Sequence, residues 1–267
     1  MTQVFTFPTH PYRAAWPLVV VASHAITPRM RRVSLIGESL AGFAHRPGQS
    51  LVLGLPQACG GLARRHYAIR RFDHEELRLD LDLVTHGASL AVRWAQSARI
   101  GDPVLAEGPH GRIAVNPHAD WHLFAGDETA LPAIAAMLEA LPSQARAYAL
   151  IEVAGPEEEQ RLDTGAELEI LWVHRQTPFG AASAALVERT AAFKPPAGVG
   201  QAYLLGETAT VRAQREALLA RGFPPAGIAA EGYWRPGRAG GRDRIGRLER
   251  REHRRGRRAP GWAHAWA

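Results

Sequence analysis

One cysteine, Cys59, occurs among the 267 residues. A lone thiol excludes an internal disulfide framework and fits a reducing compartment, so the cytoplasm is the expected location. No apolar run approaches the ~18 residues that a membrane-spanning helix needs. The opening stretch MTQVFTFPTHPYRAAWP has no basic segment followed by an apolar core, so no secretory leader is read and membrane insertion is not expected. Neither GxGxxG nor GxxxxGK(S/T) is present, which leaves out the Rossmann fingerprint and the P-loop. The 12 histidines form no HExxH pattern or other ligand spacing, so no metal site is expected. Lysine is nearly absent, and arginine outnumbers it 31 to 1.

What is present divides in three. The net charge is +6, but the stretch from Arg238 to Ala267 holds ten arginines against Asp243, Glu249 and Glu252, a balance of +7. The remaining 237 residues therefore sum to about −1. An arginine-rich tail suits an acidic surface, yet this one lacks periodicity and reads as a disordered extension. No nucleic-acid partner is expected from it.

Residues 1–116 read as β-rich. Short apolar or alternating runs cover 18–26, 31–37, 50–56, 66–72 and 77–85. LRLDLDL is the cleanest period-2 stretch, with leucines on one face and Arg78, Asp80 and Asp82 on the other. Such spacing predicts a small antiparallel barrel, interrupted by one helix over 89–98 with Ser89 at its N-cap. From residue 117 to 237 the rhythm changes. Strands at 121–127, 145–155, 167–175 and 201–207 alternate with helices at 129–141, 181–193 and 208–222. That pattern predicts a doubly wound parallel α/β sheet.

Ligands of such sheets sit beyond the carboxyl ends of the strands. Two of those ends are alike: FAGDETALPAI carries Gly126, Asp127, Glu128 and Thr129, and LLGETATVRAQ carries Gly206, Glu207 and Thr208. A glycine there lets a ligand approach the backbone, and the threonine caps the helix or offers a hydroxyl. The same residues also make sound turns without any ligand. Acidic side chains argue against a simple phosphate cradle and suit a ribose or a nicotinamide amide.

The stretch RRHYAIR (64–70) is odd for a strand with one buried face. Arg65 and Tyr67, two apart, point the same way. One can clamp a phosphate and the other can face a heteroaromatic ring. The following helix, entered through THGASLA, would turn its first N–H groups toward a pyrophosphate. An exposed strand with solvated cations is the alternative.

These stretches, in this order, together with AEGPHGRI (106–113) and EGYWRPG (231–237), resemble the siderophore-interacting protein family, FAD-dependent ferric-siderophore reductases of the ferredoxin-reductase-like superfamily. The resemblance spans roughly residues 17–237. It implies a Greek-key antiparallel β-barrel for FAD and an α/β domain for NADPH or NADH. It implies that Arg65 contacts FAD phosphate and Tyr67 stacks on the isoalloxazine, with His66 beside them. Ala68 stands where the family has a hydroxyl residue. Leu90, Ala91 and Val92 would offer N–H groups to the pyrophosphate, near His86 and Trp94. Asp127, Glu128, Thr129, Gly206 and Glu207 fall in the nicotinamide-nucleotide region, and Tyr233 and Trp234 in the terminal aromatic segment.

The implied chemistry is release of iron from a ferric siderophore by reduction, since Fe(II) binds hard oxygen ligands far more weakly than Fe(III) does. Positioning suffices for it, so no nucleophile triad is expected. Arg64, Arg70, Arg71 and Arg93 are candidates for a positive face toward an anionic chelate. Arg175 could read an NADPH 2′-phosphate or close a strand end. Two other readings stay open: a related oxidoreductase with another acceptor, and a siderophore-binding protein without activity.

Overall fold

The computed structural model describes residues 15–57, 60–176, 180–238 and the backbone of 243–244. Cys59 and the remainder of the arginine-rich tail lie outside the described residues. The first half runs β1 (Ala15–Thr27), β2 (Met30–Ile36), β3 (Ser50–Pro56), β4 (Leu62–Ala68), β5 (Arg71–Asp73), β6 (Arg78–Val84), α1 (Leu90–Ser97) and β7 (Pro103–His110). They form a seven-stranded antiparallel sheet in the order β4-β3-β7-β1-β2-β6-β5.

The two edge strands, β4 and β5, follow each other in the chain with only Ile69 and Arg70 between them. The sheet must therefore curl into a half-barrel. At that junction the backbone changes partner: Ile69 N donates to Gln49 O on the β3 side at 3.0 Å, and Arg70 N to Asp80 O of β6 at 3.0 Å. Residues 66–72 are thus two strands, not the single one the sequence predicts. Alternation alone does not reveal the break, because both pieces are extended.

Period 2 in β6 places Leu79, Leu81 and Leu83 in the barrel core as expected. The opposite face is buried as well. Asp82 receives a two-pronged bond from Arg32 at 2.7 and 2.8 Å, and Ser34 donates to Asp80 at 2.6 Å. Arg70 lies 3.8 Å from Asp82 and reaches Glu139 of the second half at 2.5 Å.

The second half runs β8 (Trp121–Asp127), α2 (Leu131–Glu139), β9 (Arg146–Val153), β10 (Glu167–His174), α3 (Ala184–Ala192), β11 (Gly200–Glu207), α4 (Thr208–Ala220), β12 (Ile228–Trp234) and β13 (Asp243–Arg244). The sheet order is β10-β9-β8-β11-β12-β13, parallel except for β13. Two strands within the first 237 residues escape sequence reading. Their alternation is broken in the sequence, by Gly108-Pro109 in β7 and by Glu231-Gly232 in β12, though both strands run on through these residues. β13, in the stretch read as disordered, pairs its two residues with Glu231 and Gly232.

α2 is apolar all round, and every residue from Leu131 to Leu138 is buried. A helix of that kind needs cover on both sides. The parallel sheet covers one side, and Met30, Ala68 and Ile113 of the first half join the same core cluster. The two halves therefore share a core. Among the described residues no helix is long and apolar enough to cross a membrane.

Candidate functional site

On β4, alternation puts Arg65 and Tyr67 on one face and Arg64, His66 and Ala68 on the other. Tyr67 packs on the barrel core, and its phenol pKa is pushed up by burial while Arg65 beside it pulls the other way. The Arg65 guanidinium donates to the Arg64 carbonyl at 2.9 Å and joins no ion pair among the described residues. Its neighbours differ. Arg64 is locked on Glu107, with one contact at 2.8 Å, and Arg70 on Asp82 and Glu139. Neither supplies the positive face expected of it. Arg71 and Arg93 are exposed, Arg93 donating to Ala88 O at 2.5 Å. His66 is turned away from Arg65, its ring centre 6.1 Å from that of His110. Ala68 is buried in the shared core.

Ser89 caps α1 as predicted, accepting from Val92 N at 3.2 Å. The Val92 N–H is therefore spent, and those of Leu90 and Ala91 open the helix. Leu90, Ala91 and Trp94 pack against the same barrel core as Tyr67. A guanidinium that joins no ion pair among the described residues, next to a flat phenol and a helix N-terminus that pack on one core, fits a flavin dinucleotide.

At the carboxyl ends of the parallel strands the polar side chains bind one another. The Asp127 carboxylate accepts from Thr129 N at 2.9 Å, Thr129 Oγ1 at 2.5 Å, Glu207 N at 2.7 Å and the Trp234 indole at 3.0 Å. Burial first, and Glu128 second, push its pKa up to about 6. Gly206 has φ +124°, and a Cβ there would lie 2.6 Å from Asp127 Oδ2. This glycine makes room for a side chain of the protein itself rather than for a ligand. Glu207, not Thr208, caps α4, accepting from Ala209 N at 2.9 Å and Thr210 N at 2.7 Å. Thr208 donates to Trp234 O at 2.9 Å, and Thr129 is likewise occupied. Tyr233 packs on the shared core.

Trp234 is the indole that Asp127 orients, so protonating Asp127 should disturb it. The wild-type emission minus that of Trp234→Phe should titrate with a midpoint at about pH 6, and Asp127→Asn should abolish the step. A flat difference between about pH 5 and 7 would disprove the coupling.

A second chain of contacts links the halves. His86 Nε2 lies 3.1 Å from Glu128 Oε1, and Arg175 binds Glu128 at 2.8 and 2.5 Å. Arg175 also donates to Glu152 Oε2 at 3.0 Å, and Ser183 donates to Glu152. Burial would raise the Glu128 pKa, but Arg175 and His86 bring it down to about 2. Arg175, 8% exposed, is committed to two carboxylates and is not presented to a phosphate. Glu152 and Ser183 were missed in the sequence. The signal for Glu152 was a lone charge in the otherwise apolar run ALIEVAG.

The chain matches the family model for the siderophore-interacting FAD-binding domain over residues 60–113, and that for the siderophore-interacting protein over 119–237. The solved structure of a siderophore utilization protein from T. fusca is 32% identical, with a TM-score of 0.79 over 88% of this chain and 97% of that one. This chain belongs to the siderophore-interacting protein family. Its FAD-binding stretch contains both Arg65 and Tyr67 and the start of α1. Among family relatives, an uncharacterized protein of Mycobacterium tuberculosis is 46% identical over 112 residues, 42% of this chain and 40% of that protein. The ferric vibriobactin reductase of Vibrio cholerae is 31% identical over 170 residues, 56% of this chain and 63% of the reductase. The matches thus span less than two thirds of these two curated relatives.

Proposed function

We propose that the protein is a flavin-dependent ferric-siderophore reductase. Residues 1–116 carry FAD and 117–237 the pyridine nucleotide, in the cytoplasm. The observation that carries this reading is Arg65, whose guanidinium joins no ion pair among the described residues and whose neighbour on the same strand face, Tyr67, packs on the barrel core. The match to a ferric vibriobactin reductase supports the choice of substrate.

FAD, when bound, accepts the two electrons of a hydride from NAD(P)H and passes them on singly. Arg65 neutralises and orients the pyrophosphate, aided by the N–H groups of Leu90 and Ala91. Tyr67 offers its ring to the isoalloxazine. Asp127 holds the Trp234 indole in place at the carboxyl ends of the parallel strands. One NAD(P)H and two Fe(III) chelates give NAD(P)⁺, a proton and two Fe(II). The ferrous ion then leaves its oxygen ligands because they hold it weakly.

The test is anaerobic: FAD-loaded protein, NAD(P)H and a ferric siderophore, with Fe(II) trapped by a chromogenic chelator. Iron appearing at two per nucleotide oxidised supports the reading. Flavin bleaching without iron release would replace it with an oxidoreductase serving another acceptor. A protein that neither binds FAD nor bleaches would be a binder only.

A further inference from the structure

We infer that two copies of this chain pair through β10, joining their parallel sheets about a two-fold axis at Ile170. β10 closes one side of the second sheet, and its register with β9 runs unbroken from Glu167 to His174. Natural proteins shorten, bend or charge such edges, because open backbone groups template a further strand. The other edges of this molecule comply. β5 has three residues and β13 two, and β4 carries Arg64, Arg65 and His66. β10 has eight residues, ELEILWVH, with Ile170 37% and Leu171 41% exposed.

The backbone fixes which residues face the open side. Glu167 N donates to Ala145 O at 3.0 Å and Arg175 N to Val153 O at 2.9 Å, both toward the β9 side. Alternate residues of a parallel strand turn their groups to the same neighbour, so Leu168, Ile170 and Trp172 turn theirs outward. An antiparallel copy, related by a two-fold axis normal to the sheet, pairs residues that point to one face. Centred on Ile170, it sets Ile170 on the partner's Ile170 and Leu168 on the partner's Trp172, every pair apolar. Centred on Trp172, it would set Ile170 on the partner's His174 and Leu168 on the partner's Gln176. The side chains therefore select the first register.

Charge supports the same register. Val173 packs with Leu186 of α3, so the odd-numbered side chains of β10 face α3. On that face a groove of about 370 Å³ is floored by Tyr148, Leu150 and Leu171 and rimmed by Arg189 and Lys194, the chain's one lysine. Glu169 is its one carboxylate among the described residues, and neither cation joins an ion pair among them. The register sets the partner's Glu169 beside Leu171, so it brings the groove a second carboxylate. Each copy gives one glutamate and receives one, which balances the two cations.

Sedimentation velocity of the whole chain, from about 1 to about 100 µM, reads the association. A dimer with a dissociation constant of about 10 µM or tighter is expected. Ile170→Lys faces two ammonium groups across the axis and should raise that constant at least about hundredfold. Glu169→Arg should raise it about tenfold, and adding Arg189→Glu and Lys194→Glu to that variant should restore it to within about threefold. Ile170 and Glu169 are exposed, so the circular dichroism of both variants should match the wild type. A chain monomeric throughout that range, a dimer unmoved by Ile170→Lys, or a dimer that Glu169→Arg leaves as tight would overturn the inference. If Ile170→Lys fails to fold, Glu169→Arg and its charge-swapped rescue decide alone.

Discussion

Arg65→Ala should weaken FAD binding by about 10- to 150-fold, the loss of a charge-assisted hydrogen bond worth ~1.5–3 kcal/mol. Absorbance titration of the apoprotein measures it. The prediction is unusually clean because this guanidinium joins no ion pair among the described residues and bonds only the neighbouring carbonyl. Melting of the apoprotein should therefore hardly change. Arg65→Lys should fall between the two, since an ammonium keeps the charge but not the two-pronged geometry. Matching losses in Arg64→Ala are not expected, because Arg64 already faces Glu107. FAD affinity unchanged by Arg65→Ala would remove the anchor of the proposed site.

Arg175→Met should destabilise the protein by about 3–5 kcal/mol, lowering its melting temperature by roughly 10 °C. Two carboxylates, Glu128 and Glu152, would be left buried without their guanidinium. The sign of the pH dependence separates this cause from lost packing. With Arg175 present, Glu128 titrates at about 2. That is below its unfolded value of ~4.3, so its contribution is in place above the unfolded value and is lost as pH falls toward the folded one. Without Arg175, burial raises the folded value above the unfolded one. The orphaned acid then protonates in the native state first, and the deficit should shrink as pH falls from neutrality. Urea unfolding of both proteins at about pH 7 and pH 5 checks it. A deficit of the same size at both would point to packing instead.

The sequence by itself determined the two-part architecture. Period 2 in LRLDLDL and the strand-helix rhythm after residue 117 are local patterns, and local patterns survive without a partner. It also determined that Arg65 and Tyr67 share a face, since alternation along a strand needs no tertiary information, and that Ser89 caps α1. The strands it hid, β7 and β12, carry Gly-Pro and Glu-Gly where the period should be clearest.

Only the tertiary structure decided which polar residues are available. Arg64, Arg70 and Arg175 look as open as Arg65 in the sequence, but each is neutralised by a carboxylate remote along the chain: Glu107 at 43 residues, Glu139 at 69 and Glu128 at 47. Asp127 and Glu207, read as ligand contacts, serve turns and caps 80 residues apart. Sheet register and crossover order bring such groups together, and neither is written in local periodicity. A charge's role depends on the dielectric and the partners that meet it after folding.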